Sequence, residues 1–436
     1  MKTKRRTFLR NAASLMTAPL IAPSISYGKV RIAAADRVRV ALIGCNGMGF
    51  YNLQDHLKVP GVECAALCDV DENVLRRRSA DVARITGKTP PLVKDFRKII
   101  DDKSIDAVIV GTPDHWHCLP TVYACEAGKD VYVEKPLANS IYECEAMLRA
   151  ARKYNRIVQV GQQQRSGQHW QDTVGLVKSG RIGKLRKIKA WGFFEYGRTS
   201  ARVPDSSVPQ GVDYDLWLGP APLRPFNTGR FHGNWRFSWD YGGGLLTDWG
   251  VHLLDVALWT VDGRMPNTIQ SVGGIYAYKD NLIETADTQS VLYGYDDMHI
   301  EWEHLGGLSS GYYGRGYGVA FIGNDGTIVV NREGWELIPE TENDKPRTEP
   351  ITLQQPDKGD HLKHVTNFVE SVRTRKTPIC DVAIGRDAAI LAHMGNIAYR
   401  TGHKLTWDAR AGKFVSDSQA NTFITPVYRG PWTLPT

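Results

Sequence analysis

The 436-residue sequence predicts an α/β protein of two domains: a doubly wound parallel sheet, followed by an α/β domain with an open, mainly antiparallel sheet. Two patterns predict this fold. Over residues 33–162, short apolar runs rich in β-branched residues alternate with segments of helical periodicity, as parallel strands alternate with crossover helices. Within residues 163–436, most strand-like runs follow one another without regular helices between them, which is typical of an antiparallel sheet.

Residues 1–32 are predicted to be an export signal rather than part of the fold. A charged segment with the adjacent pair Arg5 and Arg6 precedes a modestly apolar run over residues 12–25, which favours the twin-arginine route and a periplasmic location. The run is too short and too interrupted by proline to span a bilayer, so no membrane anchor is expected. The seven Lys and Arg residues that precede Asp36 equal the whole formal net charge of +7, so no nucleic acid is expected as a partner.

The first domain begins with the parts of a dinucleotide site. A strand over residues 38–43 runs into the glycine-rich turn of residues 44–49, and a helix follows, so backbone N–H groups can approach a pyrophosphate. A second strand, over residues 62–68, ends in an acid at the spacing expected for a carboxylate that binds the adenosine ribose, which favours NAD over NADP. The predicted cofactor contacts here are Gly44, Asn46, Gly47, Met48, Gly49 and Asp69.

Further strands over residues 105–110, 130–133 and 157–160 continue the parallel sheet. Ligands of such sheets bind at the carboxyl ends of the strands, where this sequence carries polar side chains. His115 and His117 lie in one loop without a third ligand nearby, so no metal site is expected. The cofactor-binding candidates at these ends are Thr112, Pro113, His115, His117, Glu134, Lys135 and Gln162.

In the second domain, strands are predicted over residues 188–195, 268–276, 289–293, 299–303, 319–322 and 327–330, with late helices over residues 363–373 and 385–399. An aromatic loop over residues 213–241 resembles the wall of a sugar pocket, because pyranose faces stack on rings while hydroxyl groups need donors and acceptors. Packing of the loop onto the sheet would explain about half of its aromatic residues equally well. The substrate-binding candidates are Arg165, His232, Trp235, Arg236, Trp239 and Tyr241.

The loop leads into a predicted helix over residues 242–259. At about 100° per residue, Asp248, His252, Asp255 and Trp259 fall on one stripe of an otherwise apolar helix, so the stripe is expected to line a cavity. The alternative is that Asp248 stabilises the first helical turn and His252 has no chemical role. The dinucleotide turn and Lys135 give Asp248 and His252 a ligand to face, whereas Asp255 and Trp259 are expected to be structural.

Taken together, these motifs resemble the Gfo/Idh/MocA oxidoreductase family in order and spacing. The resemblance implies an N-terminal Rossmann domain, a C-terminal α/β domain whose open sheet often forms homo-oligomers, and an NAD(P) cofactor. It also implies that Lys135, Asp248 and His252 are the catalytic residues. The motifs are the turn of residues 44–49, Asp69, the loop of residues 112–117, Glu134-Lys135-Pro136 and Asp248-x-x-x-His252, and exported twin-arginine members also share segments like residues 214–220 and 429–432.

The resulting expectation is an oxidoreductase that transfers a hydride between a ring hydroxyl or ketone of a sugar or glycoside and a tightly bound nicotinamide cofactor. One alternative is an NAD-dependent glycosidase that acts by transient oxidation and elimination, with His232, Tyr241 or His117 as an extra base. Residues 246–249 depart from the Tyr-Pro-Thr-His-type motif of the family's α-N-acetylgalactosaminidases, which argues against that activity. A second alternative is a carbohydrate-binding protein without catalysis.

Overall fold

The computed structural model describes residues 37–195 and 202–436 of the chain. The predicted export signal over residues 1–32 lies outside these ranges. Within them, no helix combines the length and the apolar character that a membrane crossing needs.

The first domain is a six-stranded sheet in which every neighbouring pair is parallel, with the strand order β3-β2-β1-β4-β5-β6. The strand order reverses between β1 and β4, which opens a crevice at their carboxyl ends. The two-residue strand β3 is the one the sequence pattern did not predict. The strands are β1 (Val38–Ile43), β2 (Val62–Cys68), β3 (Leu92–Val93), β4 (Ala107–Val110), β5 (Asp130–Val133) and β6 (Val158–Val160), and the helices are α1 (Gly47–His56), α2 (Glu72–Thr86), α3 (Arg97–Asp101), α4 (Cys118–Glu126) and α5 (Ile141–Lys153).

The second domain is built on a ten-stranded sheet. Its strands are β7 (Leu185–Phe194), β8 (Thr268–Gly274), β9 (Thr288–Gly294), β10 (His299–Gly306), β11 (Tyr317–Gly323), β12 (Gly326–Asn331), β13 (Gly334–Pro339), β16 (Ile351–Gln354), β17 (Leu405–Asp408) and β18 (Lys413–Phe414), while β14 (Thr341–Glu342) and β15 (Lys345–Pro346) form a separate ribbon. The helices are α6 (Gln168–Lys178), α7 (Tyr214–Leu218), α8 (Val251–Thr260), α9 (Asp360–Thr374), α10 (Val382–Thr401) and α11 (Ser418–Thr422).

The order of the large sheet is β16-β13-β12-β11-β7-β10-β9-β8-β17-β18, and β7 with β10 is its parallel pair among antiparallel ones. The predicted α/β fold with a mainly antiparallel second sheet is therefore confirmed. Strands β13, β16, β17 and β18 were not predicted. They lie at or next to the two edges, where exposed positions such as those of β16 remove the continuous apolar run that marks a central strand.

One prediction is wrong in detail: residues 242–259 do not form a regular α-helix from their start. Residues Leu246–Gly250 form a π-helical turn, and α8 begins at Val251. The wider turn carries Asp248, and such turns often occur at functional sites. The apolar side chains of α8 are buried, and the helix packs against α6 and α10, so its position is fixed by the core.

Candidate active site

A cleft with about 1540 Å³ of empty volume lies at the carboxyl ends of β1, β2, β4 and β5 and reaches across to the second domain. The first domain contributes the glycine-rich turn and the strand ends. The second domain contributes the aromatic loop, the π turn, α8 and the turn between β12 and β13. This is the crevice that the reversal of strand order opens.

Three glycines let the first strand, its helix and β4 approach each other at the cofactor side of the cleft. Gly44 has a φ of +87°, and a Cβ placed on it would lie 2.7 Å from the backbone of Gly111 and Thr112. A Cβ on Gly49 would lie 2.0 Å from the carbonyl oxygen of Gly44. Gly49 does not line the cleft. It makes the turn possible by allowing α1 to pack closely on the strand ends.

The N-terminus of α1 is open to an anion. Asn46 precedes the helix but caps none of its N–H groups, since its Oδ1 accepts a hydrogen bond from Arg77 Nη2 at 3.2 Å instead. Gly47 and Met48 line the cleft, so the N-terminus of the helix borders it. A helix N-terminus with free N–H groups beside a side-chain-free turn fits a pyrophosphate.

We expect Gly44→Ala to abolish dinucleotide binding. An alanine here must adopt a left-handed backbone, which costs about 1–2 kcal/mol. Its methyl group also clashes with the backbone directly after β4, which costs about 1–3 kcal/mol. Gly87→Ala is the matched control, because Gly87 has a φ of +74° but no atom within 4 Å of its Cβ position. Mass spectrometry measures the bound cofactor of both variants, and thermal unfolding verifies that both are folded. Equal cofactor content in the two variants would show that the close approach of the backbone is unimportant.

Asp69 lies where β2 ends and lines the cleft. Its Oδ2 accepts a hydrogen bond from Cys45 N at 2.7 Å and its Oδ1 accepts one from Asp71 N at 3.0 Å. Burial raises the pKa of Asp69, and these two backbone donors oppose that rise. Each oxygen keeps a second lone pair, so the carboxylate suits the hydroxyl groups of a ribose.

At the other end of the cleft, Lys135 and Asp248 form a largely buried ion pair. Lys135 Nζ donates to Asp248 Oδ1 at 2.7 Å and to the backbone oxygen of Asp248 at 2.9 Å, and Arg236 Nε lies 3.3 Å from the same Oδ1. Burial alone would raise the pKa of Asp248. The charges of Lys135 and Arg236 outweigh it, so the pKa lies well below its ordinary value and the carboxyl group stays ionised.

His252, one helical turn after Asp248, is a buried neutral base. Burial lowers its pKa well below 6.5, and the charges of Lys135 and Arg332 lower it further, while Asp248 acts in the opposite direction. Its Nδ1 has no hydrogen-bond partner among the described residues. A neutral imidazole that lines a cleft beside a lysine can accept a proton from a bound hydroxyl group.

Two hydrogen bonds and close packing on Gly161 fix the Glu134 carboxylate beside Lys135. It accepts hydrogen bonds from Asn52 Nδ2 at 2.9 Å and from Lys135 N at 3.3 Å, and a Cβ on Gly161 would lie 2.6 Å from its Oε1. Asn52 in turn contacts His361 of α9 at 2.7 Å, so the second domain supports this strand end. Burial raises the pKa of Glu134.

The structure brings most predicted site residues together. Those that line the cleft are Gly44, Asn46, Gly47, Met48, Asp69, Thr112, Pro113, His117, Glu134, Lys135, His232, Trp235, Arg236, Asp248 and His252. The ring of His117 bridges the loop to the turn after β5, with its nitrogens 2.9 Å from Thr112 O and 2.7 Å from Pro136 O. His232 Nε2 lies 2.8 Å from Asp71 Oδ2.

His115 and Tyr241, predicted to contact cofactor and substrate, are instead packed under the aromatic loop. His115 Nε2 lies 3.0 Å from Trp217 O, and its ring centroid is 5.1 Å from that of Tyr241. Burial lowers the pKa of His115 to about 4. Both side chains are almost fully buried and neither lines the cleft, because the loop needs an aromatic core of its own.

Gln162, Arg165 and Trp239 also lie outside the cleft lining. Gln162 Oε1 accepts a hydrogen bond from Cys380 Sγ at 3.0 Å, and Trp239 packs against Arg400. Arg165 makes a buried bidentate ion pair with Asp255 at 2.8–3.0 Å and lies over Trp259. The predicted structural role of Asp255 and Trp259 therefore has a physical basis, and Arg165 shares it.

We expect Arg165→Met to destabilise the fold rather than weaken substrate binding. Removing one partner of a buried pair leaves the Asp255 carboxylate uncompensated, at a cost of about 3–5 kcal/mol in the free energy of unfolding. Arg264→Met, which breaks a half-exposed pair with Asp297, should cost about 0–1 kcal/mol. Urea unfolding measures both. A stable Arg165→Met variant with a raised KM for sugar would contradict this assignment.

Several cleft residues were not predicted, among them Lys94, Asp114, Gln163, Trp249 and Arg332. Asp114 stands in the 112–117 loop between the predicted cofactor contacts Pro113 and His115. Burial raises the pKa of Asp114 well above its ordinary value, against the charges of Arg236 and Lys135. The position of Asp114 within this motif is a signal that identifies it as a site candidate, whereas Arg332 belongs to no motif in the sequence.

The fold and the site together define a dinucleotide-dependent oxidoreductase. The family model described as oxidoreductase family, NAD-binding Rossmann fold, matches residues 38–162, and the C-terminal alpha/beta domain of the same family matches residues 175–298 and 325–434. The chain belongs to the Gfo/Idh/MocA oxidoreductase family, and its N-terminal domain is the family's NAD-binding domain. The predicted family, fold and NAD cofactor are confirmed.

Curated relatives match over a shorter stretch. The chain is 29% identical over 201 residues to a glycosyl hydrolase family 109 protein of Shewanella sp. (strain W3-18-1) and 28% identical over 201 residues to an alpha-N-acetylgalactosaminidase of Shewanella oneidensis. Each match covers 42% of this chain and 44% of the relative, so the chain spans less than half the length of the curated relatives it matches.

Solved structures with the same fold include two sugar-active enzymes. The aldose-aldose oxidoreductase from Caulobacter crescentus has a TM-score of 0.65 at 19% identity, covering 85% of this chain and 100% of that one. Levoglucosan dehydrogenase in complex with NADH and levoglucosan has a TM-score of 0.64 at 19% identity, covering 85% of this chain and 99% of that one. At this identity the likeness shows the shared fold.

Proposed function

We propose that this protein transfers a hydride between a ring hydroxyl or ketone of a sugar or glycoside and a tightly bound NAD. One observation carries the proposal: the Lys135–Asp248 ion pair and the neutral His252 share a cleft with an open, glycine-rich dinucleotide turn. The sugar-active enzymes of the same fold support the substrate class.

In this reaction NAD, when bound, supplies the hydride acceptor at C4 of the nicotinamide. His252 takes the proton of the substrate hydroxyl group. Lys135 donates a hydrogen bond to the same oxygen and stabilises the negative charge that develops on it. Asp248 holds the Lys135 ammonium in place, because it accepts through both its carboxylate and its backbone oxygen.

NAD is favoured over NADP by Asp69. A carboxylate at this strand end repels a 2′-phosphate and accepts hydrogen bonds from the ribose hydroxyl groups. Arg77, which donates to Asn46 beside the turn, is the nearby cation that could offset this charge, so the cofactor has to be identified directly. The mass of the dinucleotide released on denaturation identifies the cofactor, and NADP in that fraction would contradict the assignment.

The function is tested by adding a panel of pyranoses and p-nitrophenyl glycosides to the purified protein while two signals are followed. Absorbance of reduced nicotinamide reports hydride transfer, and nitrophenol release reports cleavage. We expect at least one sugar to reduce the bound cofactor without release of nitrophenol. A protein that carries no dinucleotide, or whose activity survives His252→Ala unchanged, would contradict the proposal.

A redox-assisted glycosidase is the second candidate, because curated relatives carry the names of glycosidases. Such a reaction needs a base for the carbon next to the transient ketone. Of the three predicted candidates, Tyr241 lies outside the cleft lining and both nitrogens of His117 face carbonyl oxygens. His232 lines the cleft and is paired with Asp71, so it is the base to replace. Nitrophenol release that depends on His232 and leaves no net reduced cofactor would establish this candidate.

We further infer that the protein is exported to the periplasm by the twin-arginine route and assembles through the outer face of its second sheet. The paired arginines at positions 5 and 6 support export. Val272 of β8 and Leu292 of β9 are 70% and 47% exposed and lie diagonally across the strand pair, which supports a contact with a second copy. Cell fractionation of the wild type and of an Arg5→Lys/Arg6→Lys variant tests export, and wild-type protein found in the cytoplasm would contradict it. Light scattering of the wild type and of Leu292→Glu tests assembly, and a monomeric wild type would contradict it.

A further inference from the structure

Arg332 is a cleft residue that the reaction above does not use. It lies in the two-residue turn between β12 and β13, where Asn331 pairs with Gly334, and its side chain lines the cleft from the second domain. Its guanidinium carbon is 4.9 Å from the ring centroid of Trp249. Trp249 is itself held by Phe194, at 4.5 Å between ring centroids. The guanidinium therefore lies over the indole ring, and none of its N–H groups donates a hydrogen bond to another residue within 37–195 and 202–436.

Other cations of the cleft are already paired. Lys135 and Arg236 contact Asp248, and Lys94 contacts Glu72. Arg332 differs from them: within residues 37–195 and 202–436, no carboxylate oxygen lies within 4.0 Å of its nitrogens.

The carboxylates of Glu333 and Asp360 act on the charge of Arg332, but neither forms an ion pair with it. Glu333 accepts hydrogen bonds from Tyr317 and Asn331, and Asp360 makes no ion pair with Arg332. The stretches outside the described ranges, residues 1–36 and 196–201, contain one carboxylate side chain, Asp36. Burial lowers the pKa of Arg332, and the charges of Asp360 and Glu333 act in the opposite direction.

The position of Arg332 indicates that an anion bound by its guanidinium belongs to the substrate rather than to NAD. The dinucleotide turn and Asp69 belong to the first domain, whereas Arg332 stands on the second sheet beside the catalytic base. Its charge acts on His252, and Trp249, on which it stacks, has its ring centroid 5.9 Å from that of His252. A guanidinium edge presents two parallel N–H donors, which match the two oxygens of a carboxylate or an ester oxyanion.

We propose that the substrate is a saccharide that carries an oxyanion, such as the carboxylate of a hexuronic acid, and that Arg332 binds this group. The inference rests on the proposed function, because it concerns the substrate of the same site. It deepens that function by predicting that neutral sugars are poorer substrates than their anionic counterparts.

The test uses the purified holoprotein with matched pairs of sugars that differ in one group: methyl glucosides and methyl glucuronides, with the galacto and manno pairs beside them. Glucose 6-sulfate and glucose 6-phosphate form separate arms. Calorimetry measures binding, and reduction of the bound cofactor measures turnover. A charge-assisted bidentate contact predicts about 10- to 100-fold tighter binding of the anionic member. Preference for glucuronide or for an ester identifies the source of the oxyanion.

Arg332→Met keeps the length of the side chain and removes its charge. We expect it to lose the preference for the anionic sugar, while the affinity for the neutral member changes less than about threefold. Arg332→Lys should keep part of the preference, and Arg264→Met, outside the cleft, should keep all of it. Thermal unfolding of each variant verifies that it is folded.

The two readouts separate the two possible failures. Equal binding of neutral and anionic sugars, or an unchanged preference in Arg332→Met, would overturn the assignment of Arg332 and leave the proposed function standing. Selective binding of anionic sugars without any cofactor reduction would support Arg332 and contradict the proposed function.

Discussion

Lys135→Met is expected to lower kcat about 1000-fold while the dinucleotide stays bound. Lys135 Nζ donates to both the side chain and the backbone of Asp248 and faces the cleft at the end of β5. Methionine keeps the length of the side chain but cannot stabilise charge on the substrate oxygen. The turn that binds the pyrophosphate lies on β1 and α1, so cofactor content should not change.

The same variant has a second, independent signature. The charge of Lys135 contributes to the low pKa of His252, so its removal raises that pKa. The remaining activity should therefore disappear at a higher pH than in the wild type as the solution is acidified. Lys178→Met, which removes a surface lysine paired with Asp262, is the control and should match the wild type. Full activity in Lys135→Met, or unchanged pH dependence of its residual rate, would contradict the assigned role.

The second large effect concerns His252. Replacement by asparagine is expected to lower kcat for sugar oxidation about 100- to 10,000-fold, because an amide cannot take the proton that the neutral imidazole takes. His403→Asn provides the control, since His403 is an exposed residue paired with Asp417. Steady-state kinetics of the two variants, with thermal unfolding as a check on folding, measure the difference.

The pH profile of the wild type follows from the sign of the His252 shift. A base acts in its unprotonated form, and burial lowers the pKa of His252 well below 6.5. The imidazole is therefore unprotonated throughout the neutral range. We expect kcat/KM for oxidation to stay level as the pH falls past 6.5 and to decline only in more acidic solution. A decline centred at 6.5 or above would show that a different group is the base.

Much of the first domain could be predicted because its signals are local. The run of β-branched residues leads directly into the turn at Gly44, and the acid after β2 follows the turn at a fixed distance of about 20 residues. Lys135 could be predicted as a site residue because the carboxyl ends of parallel strands meet at one edge. Asp248 and His252 could be paired because residues four positions apart share a helix face.

The errors have physical reasons. Arg165 has the residue type of a substrate-binding group, but a buried arginine can also pair with a carboxylate inside the fold. Its partner, Asp255, lies 90 positions away, so the sequence does not reveal the pair. Tyr241 and His115 belong to the core of the aromatic loop, which amino-acid type alone does not distinguish from a pocket wall. Arg332 reaches the cleft because of the strand order of the second sheet, which the sequence pattern does not specify.

Isotope transfer shows directly whether a hydride passes from a ring carbon of a sugar to the bound cofactor in this cleft. A perdeuterated sugar that reduces the cofactor in the panel is incubated with the holoprotein, and the cofactor is then released and analysed by mass spectrometry. We expect reduced nicotinamide with deuterium at C4, formed in the wild type at least about 100-fold faster than in Lys135→Met or His252→Asn. Sugar conversion with an unlabelled, oxidised cofactor would contradict it.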